Sequence, residues 1–400
     1  MADQPPPSPH HRHQTSLEQV IDMSTVQEPL GEAERATAHD TFYRLVEHFE
    51  HADPYNTAPH ATRRTLYSQP LLVRYTYEFA RSAQSKDIFL RSFFSSMALD
   101  LAVADASLDF EDLAPLFSEF AEYLMDNFFL PLKASTRKTP QPSPAIHSTV
   151  LRAQGVTNNA EAYIKTEERL ATIRAQCLAR DRHRCVISRK FDAPEFSLRT
   201  DLHRDDARDD DGILFSVQER LEFDALEVAH ILPHSLMKTS TGEVMDTSRQ
   251  AALAVLNMFD YGVVHLINGI DIDRPRNGLT LAHLAHSYFG SFRVYFEAVD
   301  GQDNTYRIRS FKTGDDRVLH LPVTRTLFIT EDRTTDPPLP RFLALHCAIA
   351  HILHLSGAGE YIDGIFRDLE ERAVHADGSS ALGRLVSLGL GGWLNGAICS

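Results

Sequence analysis

Residues 226–233 read LEVAHILP and residues 276–289 read RNGLTLAHLAHSYF. The first is an apolar strand carrying His230. The second opens on Asn277 before Gly278, a turn signal, and carries His286 on the helix that follows. A His on a strand, an Asn at a turn and a second His on a helix predict an α+β module that brings polar groups together from distant parts of the chain.

The bulk composition bounds what surrounds that module. A chain of 400 residues suggests roughly two or three domains,. Hydrophobic content of 43% and charged content of 24% are those of a globular protein with ample material for a core,. No apolar run approaches the ~20 residues of a membrane helix. The first residues, MADQPPPSPHHRHQ, lack the apolar stretch of a signal peptide,. An intracellular protein, in nucleus or cytoplasm, is therefore expected.

Cys177, Cys185, Cys347 and Cys399 are too few and too scattered for a disulfide framework, and free, mostly buried thiols are expected,. The net charge of −15 argues against coating nucleic acid through the whole surface,. Residues 133–190 depart from it, with twelve Lys/Arg against four acids, a net of +8. That stretch reads either as a nucleic-acid contact or as a solvated linker with a charged helix face.

Along the chain, residues 1–38 are polar and Pro/His-bearing and are expected to be disordered. Residues 39–132 form a helical domain, with apolar stripes at 41–49, 71–79, 89–103 and 110–124. Residues 133–159 are rich in Pro, Ser and Thr and read as a linker. A helix is expected over 160–180, short strands over 184–187 and 226–232, and a solvated Asp-rich loop over 201–211. Further on come a helix at 247–259, strands at 292–299 and 306–311, helices at 341–355 and 361–374, and a Gly/Leu-rich tail. The second domain is placed at 160–375 and the tail at 376–400.

The chemistry follows from residue types. Hydrolysis of a phosphodiester needs an activated water, charge neutralisation at phosphorus and a stabilised leaving oxygen. A His whose other ring nitrogen is held can act as the base near neutral pH. One divalent ion with few protein ligands can stabilise the leaving group.

Cys185-Val-Ile-Ser188, Glu227-Val-Ala-His-Ile-Leu-Pro233, Asn268-Gly-Ile-Asp-Ile-Asp-Arg274, Asn277 and His286-x-x-Phe289-Gly290 occur in one order. In that order they resemble the HNH (ββα-metal) nuclease-domain proteins abundant in filamentous fungi. The resemblance runs from about Pro131 to Glu360. It implies a ββα-metal module with additional strands and C-terminal helices, and a metal-dependent endonuclease acting on DNA. It makes His230 the general base, on the second strand of a β-hairpin. It makes Asn277 the residue that ties the loop and orients the base, and His286 a ligand of one divalent ion (Mg²⁺, Mn²⁺, Ni²⁺ or Zn²⁺).

Two positions depart from the pattern. Ala229 stands where many such sites carry a metal-binding acid or His, and Gly290 stands one turn after His286, where another ligand often follows. One imidazole does not hold a divalent ion against water, so further donors are required. Glu227, Asp271, Asp273 and His283 are nearby candidates, although Asp271 and Asp273 serve equally well as loop caps or partners of Arg274 and Arg276. His234 is left out because Pro233 breaks the helical geometry that a four-residue spacing would need. The alternative to an active enzyme is a weakened or inactive HNH-fold module that binds a partner.

Overall fold

The N-terminal helices begin where a side chain satisfies their first amides. Ser68 accepts from the Leu71 N–H ahead of helix Gln69–Glu78, and Ser82 accepts from Ser85 ahead of Ala83–Ser96,. Asp109 caps Phe110–Leu124 through the amides of Glu111 and Asp112. The computed structural model describes residues 28–59, 65–101, 108–136, 166–218, 221–237, 247–328, 330, 335–371, 382–391 and 393. Within it the chain divides into two compact units.

The first unit comprises Met1–Ala134, Lys238–His265 and His351–Leu394. Among the described residues it is helical, and its core is aromatic. Phe42, Phe89, Phe93 and Phe120 are all but fully buried. Their rings meet edge to face, with centroids 5.1 Å apart for Phe42–Phe93 and 5.3 Å for Phe93–Phe120,. The stripes at 41–49 and 110–124 lie on helices Glu32–His51 and Phe110–Leu124. The stripe expected over 89–103 stops earlier, because Ala98 turns to φ +52° just after Ser96.

Three expected irregular stretches contain helix. Helix Glu32–His51 starts inside the segment expected to be disordered, where Arg35 makes two 2.7 Å bonds to buried Asp87 and Asp87 also accepts from Leu30 N–H. Residues 1–27 lie outside the described residues. Helix Leu130–Thr136 enters the expected linker, whose remainder lies outside them too. In the tail, helix Leu382–Leu390 pairs Arg384 with Asp126 at 2.7 Å and with Glu122.

The second unit comprises Ser135–Met237, Leu266–Ala350 and Asn395–Ser400. Helix α1 (Thr166–Arg180) is followed by β1 (Phe191–Asp192), α2 (Ala193–His203) and β2 (Phe223–Asp224), with β1 and β2 parallel. Strand β3 (Leu226–His230) pairs antiparallel with β4 (Gly278–Ala282), in a register from Leu226 opposite Ala282 to His230 opposite Gly278. Helix α3 (His283–Gly290) leaves β4 directly. Strands β5 (Val294–Ala298) and β6 (Thr305–Ser310), then α4 (Thr313–Leu319) and β7 (Val323–Thr326), complete a three-stranded antiparallel sheet in the order β5-β6-β7. Helix Pro340–Leu355 follows. The fold is thus mixed, with helices around small sheets.

Strand β4 is buried at every position and β3 at four of five, so their apolar run reads as continuous, without alternation,. Val228 of β3 packs on Ile173 and Cys177 of α1. Cys177 and Cys185 are buried free thiols and Cys347 is a half-buried one, while Cys399 lies outside the described residues.

Three readings of the sequence are corrected here. The strand expected at 184–187 is a tight turn. Cys185 N–H donates to Lys190 O, Arg189 N–H donates back to Cys185 O, and Arg189 takes φ +64°. His230 ends the first strand of its pair, and residues 231–277, helix Thr247–Phe259 among them, separate the two strands where a hairpin turn was expected. The Asp-rich loop at 201–211 is ordered by charge. Buried Asp209 binds Arg184 at 2.8 Å, Asp211 binds Arg182, and Asp210 binds His183 and Arg199 at 3.0 Å each.

Burial alone would raise the Asp210 carboxyl, but the hydrogen bonds and charges of His183 and Arg199 outweigh it and hold it down to about 2. A carboxylate depressed in the folded state contributes stability above its unfolded pKa and loses it as pH falls through the folded value. Asp210→Asn should therefore cost about 1–2 kcal/mol at pH 7, discounted for partial exposure. Urea unfolding of the two proteins should show that difference shrinking between about pH 4 and about pH 2, because the wild-type carboxylate titrates there.

Candidate active site

Strand β3 exits through His230, Ile231 and Leu232, and Asn277 holds that exit. Its side-chain oxygen accepts from Leu232 N–H at 2.9 Å, and its amide donates to Leu232 O at 2.9 Å and Ile272 O at 2.8 Å. Its carbonyl accepts from Ile231 N–H at 2.9 Å. Asn277 is fully buried, and these bonds clasp both ends of the 231–277 excursion.

Asp273 lies just inside that clasp. Its Oδ1 is 3.1 Å from His230 Nε2 and 2.8 Å from His234 Nδ1, while its Oδ2 accepts from Arg169 Nε at 3.1 Å. Burial would raise the Asp273 carboxyl, but hydrogen bonds and charges from both imidazoles drive it well below the usual carboxylate range. Burial of His230 disfavours its charged form and lowers its pKa despite the pull of Asp273,. A neutral imidazole facing a carboxylate donates from Nε2, which leaves Nδ1 as the lone-pair nitrogen. That Nδ1 is buried and has no hydrogen-bond partner among the described residues.

His286 belongs to a second group. Its Nδ1 is 2.6 Å from Glu227 Oε2, and the other oxygen of Glu227 is 2.9 Å from His283 Nδ1. The hydrogen bond to His286 is the largest influence holding Glu227 down to about 2, with His283 adding to it and burial opposing it. The same carboxylate raises the pKa of exposed His283. His230 and His286 do not bond each other, yet they are close enough for charge on His286 to lower the pKa of His230.

Residues 185–297 match the HNH endonuclease family model. The match supports an HNH nuclease domain and implies a nucleic-acid substrate. No curated protein and no solved structure is significantly similar to the chain. The HNH domain so delimited contains every candidate named in the sequence: His230, Asn277, His286, Glu227, Asp271, Asp273 and His283.

The structure sorts these candidates. Asp271 pairs with Arg274 at 3.3 Å and Arg276 at 3.7 Å, the loop role open to it in the sequence. Asp273 instead joins His230 and His234. Among the described residues, His230, His234 and Asp273 form the one group of three whose donor atoms lie within 4.8 Å of one another, close enough to hold a metal ion. His234 belongs to the group although a four-residue spacing converges in a regular way only on a helix. Pro233 in fact delivers the chain into a short 3₁₀ turn, His234–Met237, that points the ring at Asp273. A Pro-His step four residues after a strand His was the available signal.

Ala229 is buried on β3 and offers no donor. Gly290 has a steric reason to be glycine, since a Cβ there would sit 2.5 Å from the Thr136 carbonyl oxygen. Thr136 Oγ1 also donates to Gly290 O, so this position is a backbone contact with no room for a ligand. His346 is a packing residue. It stacks 3.9 Å from Phe289, its Nε2 donates to the Phe289 carbonyl, and burial pushes it down to about 3.

Several cations of the basic stretch 133–190 are engaged internally among the described residues. Lys133 is buried against Asp363 at 2.9 Å, and Arg169, Arg180, Arg182 and Arg184 pair with Asp273, Asp181, Asp211 and Asp209. Arg180 is fully buried and also donates to Pro275 O and Gly278 O, fixing the turn into β4.

Replacing Asn277 with Ala would orphan the Leu232 N–H and two carbonyls in a dry environment. Asn277→Ala should cost about 3 kcal/mol in urea unfolding. It should also speed amide exchange at Ile231 and Leu232 before the strands β3 and β4 are affected, which hydrogen exchange reads directly.

Proposed function

We propose that this protein is a metal-dependent HNH endonuclease that hydrolyses phosphodiester bonds in DNA, with His230 as general base. The antiparallel pair β3–β4 running into α3 supports a ββα-metal module. The observation that carries the reading is the Asp273–His230 pair: a buried carboxylate grips Nε2 and leaves a buried, unpartnered Nδ1 on a neutral ring. That is the arrangement a base needs to take a proton from water, with its tautomer and orientation set by the carboxylate. Asn277 acts through the backbone, holding the His230 exit and Asp273 at fixed separation.

The residues present fit a divalent ion. His286 has its Nδ1 held by Glu227, the carboxylate–imidazole pairing that fixes which ring nitrogen meets a metal,. A bound ion would neutralise charge at the phosphate and stabilise the leaving oxygen. His230, His234 and Asp273 offer a second donor set, favoured by the mutual proximity of their ligating atoms. In that reading His230 is a ligand and not the base.

Incubating supercoiled plasmid with purified protein and Mg²⁺, Mn²⁺, Ni²⁺ or Zn²⁺ tests the proposal. His230→Ala should lower cleavage by about 10²-fold or more. Cleavage that survives this change removes His230 from the chemistry, and the absence of cleavage with every one of these ions favours a binding module. Calorimetric ion titration of His286→Ala and His234→Ala separates the donor sets, since only the variant lacking a ligand should lose affinity by roughly 10-fold or more.

A further inference from the structure

A cavity of about 540 Å³ opens beside the Cys185–Arg189 turn, and Ser188, Arg189, Lys190 and Arg325 line it. Its charged groups are unevenly satisfied. Lys190 lies 3.7 Å from Glu222 and 3.8 Å from Asp224. Arg325 donates only to backbone carbonyls, Nε to Ile187 O at 2.9 Å and Nη1 to Thr324 O at 3.2 Å. Arg189 donates through Nη2 to Thr326 O at 3.3 Å and lies over the Phe328 ring at 4.7 Å.

Neither Arg189 nor Arg325 has a carboxylate partner among the described residues, and two atoms at this turn lack any hydrogen-bond partner while buried. They are Arg189 Nη1 and Ser188 Oγ. The Arg189 backbone adds to this by standing in the left-handed region at φ +64°, where a non-glycine residue is held only by its surroundings,. Burial, then the neighbouring charge of Arg325, lowers the pKa of Arg189, with the charge of Asp181 acting against them. A buried donor left unmade is costly, and two guanidiniums and a hydroxyl that line one cavity lack one thing in common: a multivalent oxygen acceptor,.

We propose that Ser188, Arg189 and Arg325 form a phosphate subsite that seats a backbone phosphate of the DNA strand. The site adjoins α3, because Ala282, Leu284 and Ala285 also line the cavity and His283 and His286 lie on the same helix. The subsite rests on the nuclease reading for its occupant but is tested without cleavage. Its chemistry is that of a phosphate with several free oxygens, which a polynucleotide or free inorganic phosphate would equally supply.

Fluorescence anisotropy with a labelled duplex of about 20 base pairs, in EDTA and over a range of salt, measures binding alone. Arg189→Gln and Arg325→Gln should each weaken duplex binding roughly 10-fold and reduce the salt slope by about one. Arg189→Lys, which keeps the charge and loses the fork, should fall between wild type and Arg189→Gln, and it decides the matter if the Gln variant unfolds. Unchanged duplex affinity in these variants, or no duplex binding by the wild type, overturns the subsite. Inorganic phosphate in competition should displace duplex only at far higher concentration; calorimetric binding of phosphate with no duplex binding assigns the pocket to a free anion and overturns it as a DNA subsite. Loss of binding in Arg189→Gln, where the wild type binds duplex but fails to cleave it with any of the four ions, leaves the subsite standing without the nuclease. His230-dependent cleavage with unaltered binding does the reverse.

Discussion

The clasp made by Asn277 is the constraint on which the site depends. Residues 231–277 leave β3 and return to β4, and nothing in a strand pair by itself closes an excursion of that length. Asn277 closes it by pairing with Leu232 as a backbone would, donating and accepting at one residue, and by holding Ile272 with its second amide hydrogen. Ile272 is the neighbour of Asp273, so the same side chain sets where the carboxylate stands relative to His230. The side-chain amide of an Asn is suited to this, because it carries donors and an acceptor on one rigid plane. Burial makes each of these bonds count, since none can be exchanged for water.

Strand geometry then separates the polar groups. Alternation along β3 sends Val228 toward α1, where Ile173 and Cys177 receive it, and sends Glu227 toward α3, where His283 and His286 meet it,. His230 shares the parity of Val228, and its carboxylate partner is in turn held by Arg169 of α1. Each imidazole group therefore has its own carboxylate, one buried and one half-exposed. Burial keeps His230 neutral, whereas exposure lets Glu227 raise the pKa of His283.

Much of the fold was legible because apolar period and caps agree. Helix Thr247–Phe259 and helix Phe110–Leu124 fall where their stripes end, and β5 and β6 where alternation is clear. What escaped was set by tertiary contacts. Helix Glu32–His51 is anchored through Arg35 to a carboxylate more than fifty residues away. The turn at 185–189 reads as a strand because Cys-Val-Ile is apolar, and only the bonds closing Lys190 and Arg189 onto Cys185 reveal otherwise. In the candidate site, the sequence points to His230, Asn277 and His286 by type and order. The partnership of Asp273 with His230 and His234 was not, since it depends on how a long excursion returns.

Charge shows the same dependence on tertiary contact, and it bears on how an acidic chain meets a polyanion. A sequence count gives residues 133–190 a net of +8, which suggests a basic surface. Among the described residues several of those cations are spent on internal carboxylates, Arg180 on Asp181 without any exposure, Arg184 on nearly buried Asp209. An ion pair already satisfied has little field left to offer a phosphate, and breaking it to bind one would leave a buried carboxylate behind. Attraction for an anion must come from cations the fold leaves unmatched. A chain of net charge −15 that binds a polyanion has to do so at local groups of unmatched cations instead of over a whole face,.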